Sequence, residues 1–192
     1  MPGYSSSMRA VWLDVPEAFL AERHRLGNDK LDELWEGVLH MVPPSSLGNA
    51  RITTDFVVAL TPIAARRGLQ VWTDGTGLFD APKNYRIADT TLARPDQTSA
   101  RGLESAELVI EVLSPHDESR DKFPFYAKRG VREIWLVEPS TREVEVYALV
   151  KKSYRRVPAT ARGWRSPVLG ITLSIVRGPK LKLVDGAYTA EV

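Results

Sequence analysis

The segment that most constrains the fold is an apolar run with a single acid inside it. Residues 108–113 read Leu-Val-Ile-Glu-Val-Leu, so only Glu111 interrupts the run. Such a run predicts a strand buried on both faces, in the middle of a sheet. An ionised carboxylate is costly there unless it is ion-paired, hydrogen-bonded or bound to a metal. Taken alone, the run leaves two readings open: Glu111 pairs with an arginine near the strand end, or it belongs to a functional site.

The patterns on either side of this run predict a mixture of strands and helices. Helices are expected from about Pro16 to Arg25, from Ser45 to Arg67 with a kink or early end at Pro62, and over about 117–129. A hairpin is expected around the turn Glu36-Gly37. Further strand patterns occur at 69–73, 77–80, 85–89, 90–93, 133–138, 143–149, 153–158, 170–176 and 180–184. We therefore predict an α/β (α+β) fold with a central mixed β-sheet flanked by helices, and extra β-hairpins.

Composition narrows the class of protein. The chain has 192 residues, of which 43% are hydrophobic and 26% charged, which favours one globular domain. We expect residues 1–10 to form a flexible N-terminal tail and residues 11–192 a single domain. The absence of cysteine excludes disulfides, thiolate nucleophiles and thiolate zinc sites. The most apolar window, Phe56–Ala65, is too short to span a bilayer, and no secretion signal is recognisable, so we expect a cytoplasmic protein without membrane contact.

Two charged residues near the apolar run favour the functional reading of Glu111. Asp89 lies at the edge of an upstream strand pattern, and Lys122 lies near the start of the predicted downstream helix. Two carboxylates can hold a hard divalent cation, which acidifies bound water. A nearby lysine can orient that water or offset developing negative charge. These residues are the minimum set for metal-dependent phosphodiester cleavage.

The motifs around these residues resemble those of the Uma-type family of restriction-endonuclease-like proteins. Residues 84–89 (Asn-Tyr-Arg-Ile-Ala-Asp) resemble its "YR-x-PD" segment, and residues 107–115 resemble its "LVVEVLSP" strand. Residues 117–137 resemble its helix and the following "GV-x-E-x-W-x-V" strand, and residues 32–37 resemble its early "YE-x-x-x-G" element. The resemblance covers about 30–147 and implies the PD-(D/E)xK nuclease fold, a restriction-endonuclease-like fold.

The resemblance also implies roles for individual residues. Asp89 and Glu111 would bind the metal, Lys122 would be the catalytic lysine, and Glu33 could add a further carboxylate. In the general form of this fold the lysine stands two residues after the second acid on the same strand, where this chain has Leu113. Lys122 must therefore reach the site from the neighbouring helix, which its long stem allows.

Further departures from the family pattern bear on the site. Ala88 replaces the proline of the "PD" pair, while a literal Pro95-Asp96 pair follows the next strand pattern. We prefer Asp89 over Asp96 as the first carboxylate because Asp89 follows the Tyr-Arg pair and opens an apolar strand. Residues 47–49 (Leu-Gly-Asn) stand where relatives often carry a histidine.

The sequence also offers candidate contacts for a phosphate backbone. Lys151, Lys152, Arg155 and Arg156 form the densest basic cluster and are the candidate nucleic-acid-binding residues. A solvated edge strand protected by charge explains the same cluster equally well. The net charge of +2 permits a nucleic-acid partner without requiring one.

These observations lead to a function hypothesis with alternatives. The leading hypothesis is an endonuclease that depends on Mg²⁺ or Mn²⁺ and hydrolyses DNA through an Asp–Glu–Lys site. A homodimer is the arrangement that would allow it to cut two strands. The alternatives are a catalytically weak or inactive nucleic-acid-binding module and an oligomeric interaction module, each retaining the nuclease fold.

Overall fold

A computed structural model describes residues 15–27, 29–42, 45–73, 75–114 and 118–192. The predicted tail at 1–10 lies outside these ranges. The α-helices of the described residues are α1 (Glu17–Arg25), α2 (Leu47–Ala65) and α3 (Phe123–Lys128), and 3₁₀ turns span Pro95–Gln97 and Ser119–Lys122. The strands are β1 (Glu33–Trp35), β2 (Val38–His40), β3 (Gln70–Thr73), β4 (Gly77–Ala81), β5 (Asn84–Ile87), β6 (Thr90–Ala93), β7 (Thr98–Ser99), β8 (Gly102–Leu103), β9 (Leu108–Val112), β10 (Glu133–Val137), β11 (Val144–Val150), β12 (Ser153–Arg156), β13 (Trp164–Arg165), β14 (Thr172–Val176), β15 (Lys180–Asp185) and β16 (Tyr188–Glu191). None of the helices in these ranges is long and apolar enough to cross a membrane.

The strands of the described ranges form three sheets. The central sheet has the order β12-β11-β10-β9-β6-β3, a hairpin-rich sheet has the order β2-β1-β5-β4-β8-β7, and a C-terminal sheet has the order β13-β14-β15-β16. In the central sheet β9 pairs in parallel with β10 and antiparallel with β6. The central sheet is therefore mixed, as predicted, and β9 lies in its interior.

Strand β9 is buried along its whole length because both faces of the central sheet are covered. One core contains Leu108, Ile110 and Val112 and continues into α2 and the C-terminal sheet. The other core contains Val109 and continues into α3 and the hairpin-rich sheet. Since side chains alternate along a strand, Glu111 points with Val109 toward the α3 side.

Helix α2 forms the cover on the first face. Its N-terminus is capped by Ser46, whose hydroxyl accepts from the Asn49 N–H at 3.1 Å. Its buried residues recur at helical spacing: Ile52, Phe56, Ala59, Leu60, Ile63 and Ala64. The expectation of an early end at Pro62 is wrong, because the helix continues to Ala65. Gly68, with a φ of 66°, then allows the chain to turn into β3.

The connection from β9 to β10 carries the second cover. The predicted helix over about 117–129 is divided into the 3₁₀ turn Ser119–Lys122 and α3, and residues 115–117 lie outside the described ranges. Phe125 and Tyr126 of α3 are buried against the sheet. This short crossover places Lys122 above the end of β9, at the face where Glu111 emerges.

The long strand predictions are confirmed to within one or two residues, whereas β7, β8, β13 and β16 were not predicted. Three of these four strands have only two residues, too few for a period of two to be visible. They exist because a neighbouring strand offers free hydrogen-bonding groups.

Candidate active site

Glu111 is almost completely buried, with 4% of its surface exposed. The Tyr126 hydroxyl donates to Glu111 Oε1 at 2.6 Å, and Lys122 Nζ lies 3.2 Å from the same oxygen. The sequence left open a pairing of Glu111 with an arginine. In the structure, the partners of Glu111 are instead Lys122 and Tyr126, which come from the connection between β9 and β10.

Lys122 reaches the central sheet from the 3₁₀ turn and is fixed by three oxygens. Its ammonium lies 2.8 Å from Glu33 Oε1, 3.2 Å from Glu111 Oε1, and donates to the Ile87 carbonyl at 2.9 Å. Three acceptors match the three N–H groups of an ammonium. The lysine therefore has one defined position despite its flexible stem.

Glu33 is a buried residue of β1, and its contacts hold it firmly. Its Oε1 accepts the Ile87 N–H at 2.9 Å in addition to contacting Lys122, and its Oε2 accepts the Trp35 indole N–H at 2.6 Å. Trp35 in turn stacks on His40 with ring centroids 3.9 Å apart. Since both oxygens of Glu33 are engaged, this carboxylate is better placed to orient Lys122 than to bind an ion.

Asp89 lies between β5 and β6 and is partly exposed. Its Oδ2 accepts the Val112 N–H of β9 at 2.7 Å, which fixes the carboxylate beside the strand of Glu111. The alternative acid, Asp96, is exposed in the 3₁₀ turn Pro95–Gln97 beyond β6. The geometry thus joins Asp89, and not Asp96, to β9.

The electrostatics of the cluster reflect three carboxylates around one ammonium. Burial raises the pKa of Glu111 to about 8; Lys122 opposes this rise, and Asp89 and Glu33 add to it. Burial alone would lower the pKa of Lys122, but the nearby Glu111 and Glu33 carboxylates raise it overall. Lys122 is therefore a permanent cation, and the cluster carries more negative charge than this cation neutralises.

The sequence of residues 17–176 matches the family described as "Uma2: Putative restriction endonuclease". The chain belongs to the Uma2 family. The matched range contains Glu33, Asp89, Glu111 and Lys122, and the family resemblance stated from the motifs is confirmed. A comparison with functionally curated proteins finds no match to this chain.

The fold of this Uma2 protein is shared with a solved structure. The crystal structure of a putative nuclease belonging to DUF820 from Anabaena variabilis superposes with a TM-score of 0.58 at 16% sequence identity, covering 72% of this chain and 83% of that chain. This likeness shows the restriction-endonuclease-like fold.

The candidate site has the donor chemistry that a divalent cation requires. Asp89 and Glu111 supply hard carboxylate oxygens, and three carboxylates, those of Glu111, Glu33 and Asp89, act on the single ammonium of Lys122. Within the described ranges, no three His, Asp or Glu side chains are arranged as a ready set of metal ligands. Mg²⁺ is commonly held by only one or two carboxylates with water completing its shell, so two ligands suffice.

The predicted basic cluster is placed on the hairpin of β11 and β12. Lys151, Lys152, Arg155 and Arg156 are all exposed. Arg155 and Arg156 are consecutive in β12, so they point to opposite faces of the sheet. Arg156 shares the face of Tyr147, its cross-strand partner, which belongs to the α3 side. The four residues therefore do not form one continuous patch.

Several residues of the candidate site were not predicted from the sequence. The Tyr126 hydroxyl donates to Glu111, and the Trp35 indole N–H donates to Glu33. Arg86 is also buried. The Arg86 guanidinium carbon lies 4.4 Å from the ring centroids of both Trp35 and Phe125. The available signal was the two-residue spacing of Glu33 and Trp35, which places both side chains on one face of a strand.

Proposed function

We propose that this Uma2 protein is a Mg²⁺- or Mn²⁺-dependent endonuclease that hydrolyses DNA. The observation that carries the proposal is the convergence of Lys122 with Glu111 and Glu33, with Lys122 Nζ 3.2 Å and 2.8 Å from their oxygens. Asp89 is tied to the strand of Glu111 by its hydrogen bond to Val112. Asp89 and Glu111 would hold the cation. A bound divalent cation would acidify a water molecule and offset charge on the phosphate.

Lys122 supplies positive charge in this scheme. Its raised pKa keeps it protonated, so it cannot serve as the general base. Its ammonium can instead stabilise negative charge that develops at the phosphate. Glu33 and the Ile87 carbonyl keep the ammonium in place through contacts of 2.8 and 2.9 Å. Glu33 is thus a positioning residue.

Glu111 makes the proposed activity sensitive to pH. With a pKa of about 8, Glu111 carries a proton at neutral pH when no other cation is near. Only the ionised carboxylate binds a cation well, so cation binding must displace this proton. Cleavage should therefore increase as the pH rises toward the pKa of Glu111.

The decisive experiment is plasmid nicking with and without Mg²⁺ or Mn²⁺. We expect metal-dependent nicking by the wild type and none by Glu111→Ala or Asp89→Asn. Asp96→Asn is the matched control, because Asp96 is an exposed acid outside the cluster and also the alternative first carboxylate. Nicking that survives in Glu111→Ala, or that needs no metal, refutes the proposal. Loss in Asp96→Asn with retention in Asp89→Asn reverses the assignment of the carboxylate.

A second candidate function is a nucleic-acid-binding module without efficient cleavage. It is favoured by the ammonium of Lys122, which occupies the space between Glu33 and Glu111, and by Leu113 at the usual lysine position. Calorimetry with Mn²⁺ separates the two functions. Binding that depends on Glu111 supports the nuclease, and DNA binding without any Mn²⁺ binding supports the module.

A further inference from the structure

His40 of β2 lies beside the candidate active site, and the mechanism proposed above does not use it. In the antiparallel pair of β1 and β2, His40 is directly opposite Glu33. Residues that are directly opposite each other share one face of a sheet, with their Cβ atoms about 5 Å apart. The imidazole is therefore next to the carboxylate that holds Lys122.

The first contact of His40 leads to Lys122 through the hairpin. The imidazole stacks on Trp35, with ring centroids 3.9 Å apart and ring planes inclined by 15°. The Trp35 indole N–H donates to Glu33 Oε2 at 2.6 Å, and Glu33 Oε1 lies 2.8 Å from Lys122 Nζ. Stacking restricts the rotation of the indole, so His40 helps to fix the carboxylate that the ammonium contacts.

The second contact of His40 leads to the same lysine through the crossover. His40 Nδ1 lies 3.1 Å from Glu118 Oε2. Glu118 immediately precedes the 3₁₀ turn Ser119–Lys122, and its carbonyl accepts the Asp121 N–H at 2.9 Å. The contact therefore joins the hairpin to the start of the turn that carries Lys122.

Together these contacts form a closed cycle between the hairpin and the crossover. Its members, in order, are His40, Trp35, Glu33, Lys122 and Glu118. The contact with Glu118 holds the backbone of the turn close to the hairpin. The lysine stem, which has four rotatable bonds, then starts from a fixed point, and less conformational freedom is lost when the ammonium reaches Glu33.

The chemistry of the second contact does not require a charged imidazole. A carboxylate only accepts hydrogen bonds, so Nδ1 carries the hydrogen in the neutral ring as well as in the cationic ring. The side chains of His40 and Glu118 are only 21% and 29% exposed. Water competes less with a hydrogen bond that is partly enclosed, so this contact is stronger than one at an open surface.

We propose that His40 is a positioning residue for Lys122, acting through Trp35 on Glu33 and through Glu118 on the 3₁₀ turn. The inference rests on the proposed nuclease function only in taking Lys122 as the catalytic lysine. It adds a residue of β2 to the site.

The test compares variants that break the contact between His40 and Glu118 from either side. His40→Phe keeps a ring to stack on Trp35 but removes Nδ1, and Glu118→Ala removes the acceptor. Each should lower the kcat of metal-dependent nicking about tenfold, the effect of one lost hydrogen bond, and leave KM within about twofold. The double variant should be no slower than either single variant, because both remove the same contact. Glu118→Gln keeps an acceptor oxygen and should retain most of the rate.

His24→Phe is the matched control. His24 Nδ1 makes a similar contact with Asp29 Oδ2 at 2.8 Å, but its side chain is 83% exposed and it belongs to α1, outside the candidate site. This variant should nick DNA at the rate of the wild type. Calorimetry with Mn²⁺ should give the same affinity for the wild type and for His40→Phe, because the proposed metal ligands Asp89 and Glu111 are unchanged.

A second readout observes the Lys122 ammonium directly and does not depend on cleavage. Nuclear magnetic resonance measures how fast the ammonium hydrogens of lysine exchange with water, and the Lys122 signal is assigned by its loss in Lys122→Met. The three acceptors around Nζ should make this exchange slow in the wild type. His40→Phe and Glu118→Ala should each accelerate it about tenfold.

The outcomes separate the positioning role from the proposed function. Unchanged ammonium exchange in both variants overturns the role of His40, even if nicking becomes slower. Lower stability in urea with unchanged exchange and unchanged kcat overturns it as well, because the contact would then be structural only. Faster exchange supports the role, and if the wild type does not nick DNA, that result overturns the nuclease alone. If His40→Phe does not fold, Glu118→Ala tests the same contact from the crossover.

Discussion

Replacing Glu111 by glutamine should stabilise the folded chain at neutral and alkaline pH. The pKa of Glu111 is about 8 in the folded chain against an ordinary value of 4.5. At about 1.4 kcal/mol per pH unit, this gap corresponds to about 5 kcal/mol once the carboxylate is fully ionised. The attraction to Lys122 is already included in the pKa, so this figure is the net cost of the buried charge. At about pH 7 the cost is about 3 kcal/mol.

The sign follows from proton linkage. The pKa of Glu111 is higher in the folded chain than in the unfolded chain, so at pH values between the two the folded chain binds one more proton. The contribution of this proton to the free energy of unfolding is complete below about pH 4.5 and is lost as the pH rises to about 8. Protonated glutamic acid and glutamine are nearly isosteric. The two proteins should therefore be about equally stable near pH 5, and Glu111→Gln should be more stable by about 3 kcal/mol near pH 7.

The assay is urea denaturation followed by tryptophan fluorescence at several pH values. Trp135 is fully buried and is therefore expected to report global unfolding. Glu17→Gln, at an exposed position in α1, is the matched control and should follow the wild type at every pH. Parallel curves for the wild type and Glu111→Gln would refute the reasoning, because Glu111 would then not be the group that carries the cost.

Three further predictions concern individual contacts. Lys122→Met should abolish metal-dependent nicking. Adding Leu113→Lys, which places an ammonium on the same face of the sheet as Glu111, should restore part of the nicking activity. If no activity returns, positions 113 and 122 are not functionally equivalent. Burial dominates the raised pKa of Glu111 and the Tyr126 hydroxyl opposes it, so Tyr126→Phe should shift the pH profile of cleavage upward and cost about 1–2 kcal/mol of stability in urea denaturation. An unchanged pH profile would contradict this. Glu133→Ala removes a fully buried carboxylate that accepts three hydrogen bonds. It should lower the free energy of unfolding by about 3–5 kcal/mol in urea denaturation. A decrease below about 1 kcal/mol would contradict this prediction.

The part of the site that could be predicted from the sequence is the part that follows from local pattern. Glu111 was identifiable because one charge interrupts an apolar run, and β9 is indeed buried along its length. Asp89 and Lys122 followed from motif order. The reach of Lys122 into the sheet was inferred from the length of its side chain, and its ammonium does lie 3.2 Å from Glu111.

The part that could not be predicted depends on contacts between elements distant in sequence. Glu33 comes from the first hairpin and meets Lys122 only because β1 pairs with β5, whose Ile87 lies beside both residues. Arg155 and Arg156 point to opposite faces of the sheet because side chains alternate along β12, and which core lies under each face depends on the packing of elements distant in sequence. The two-residue strands depend on neighbouring hydrogen-bonding groups and leave no periodic signal.

The role of Glu33 follows from the position of Lys122. A lysine on β9 itself would be oriented by the strand, whereas Lys122 arrives from a short turn on a stem with four rotatable bonds and must lose that freedom to act. The contacts to Glu33 Oε1 and the Ile87 carbonyl, at 2.8 and 2.9 Å, fix it in one position. Holding it with a third carboxylate increases the negative charge of the cluster and contributes to the raised pKa of Glu111. In the proposed nuclease, the displaced lysine therefore gives Glu33 a positioning role, and it leaves three carboxylates, those of Glu33, Glu111 and Asp89, around one ammonium.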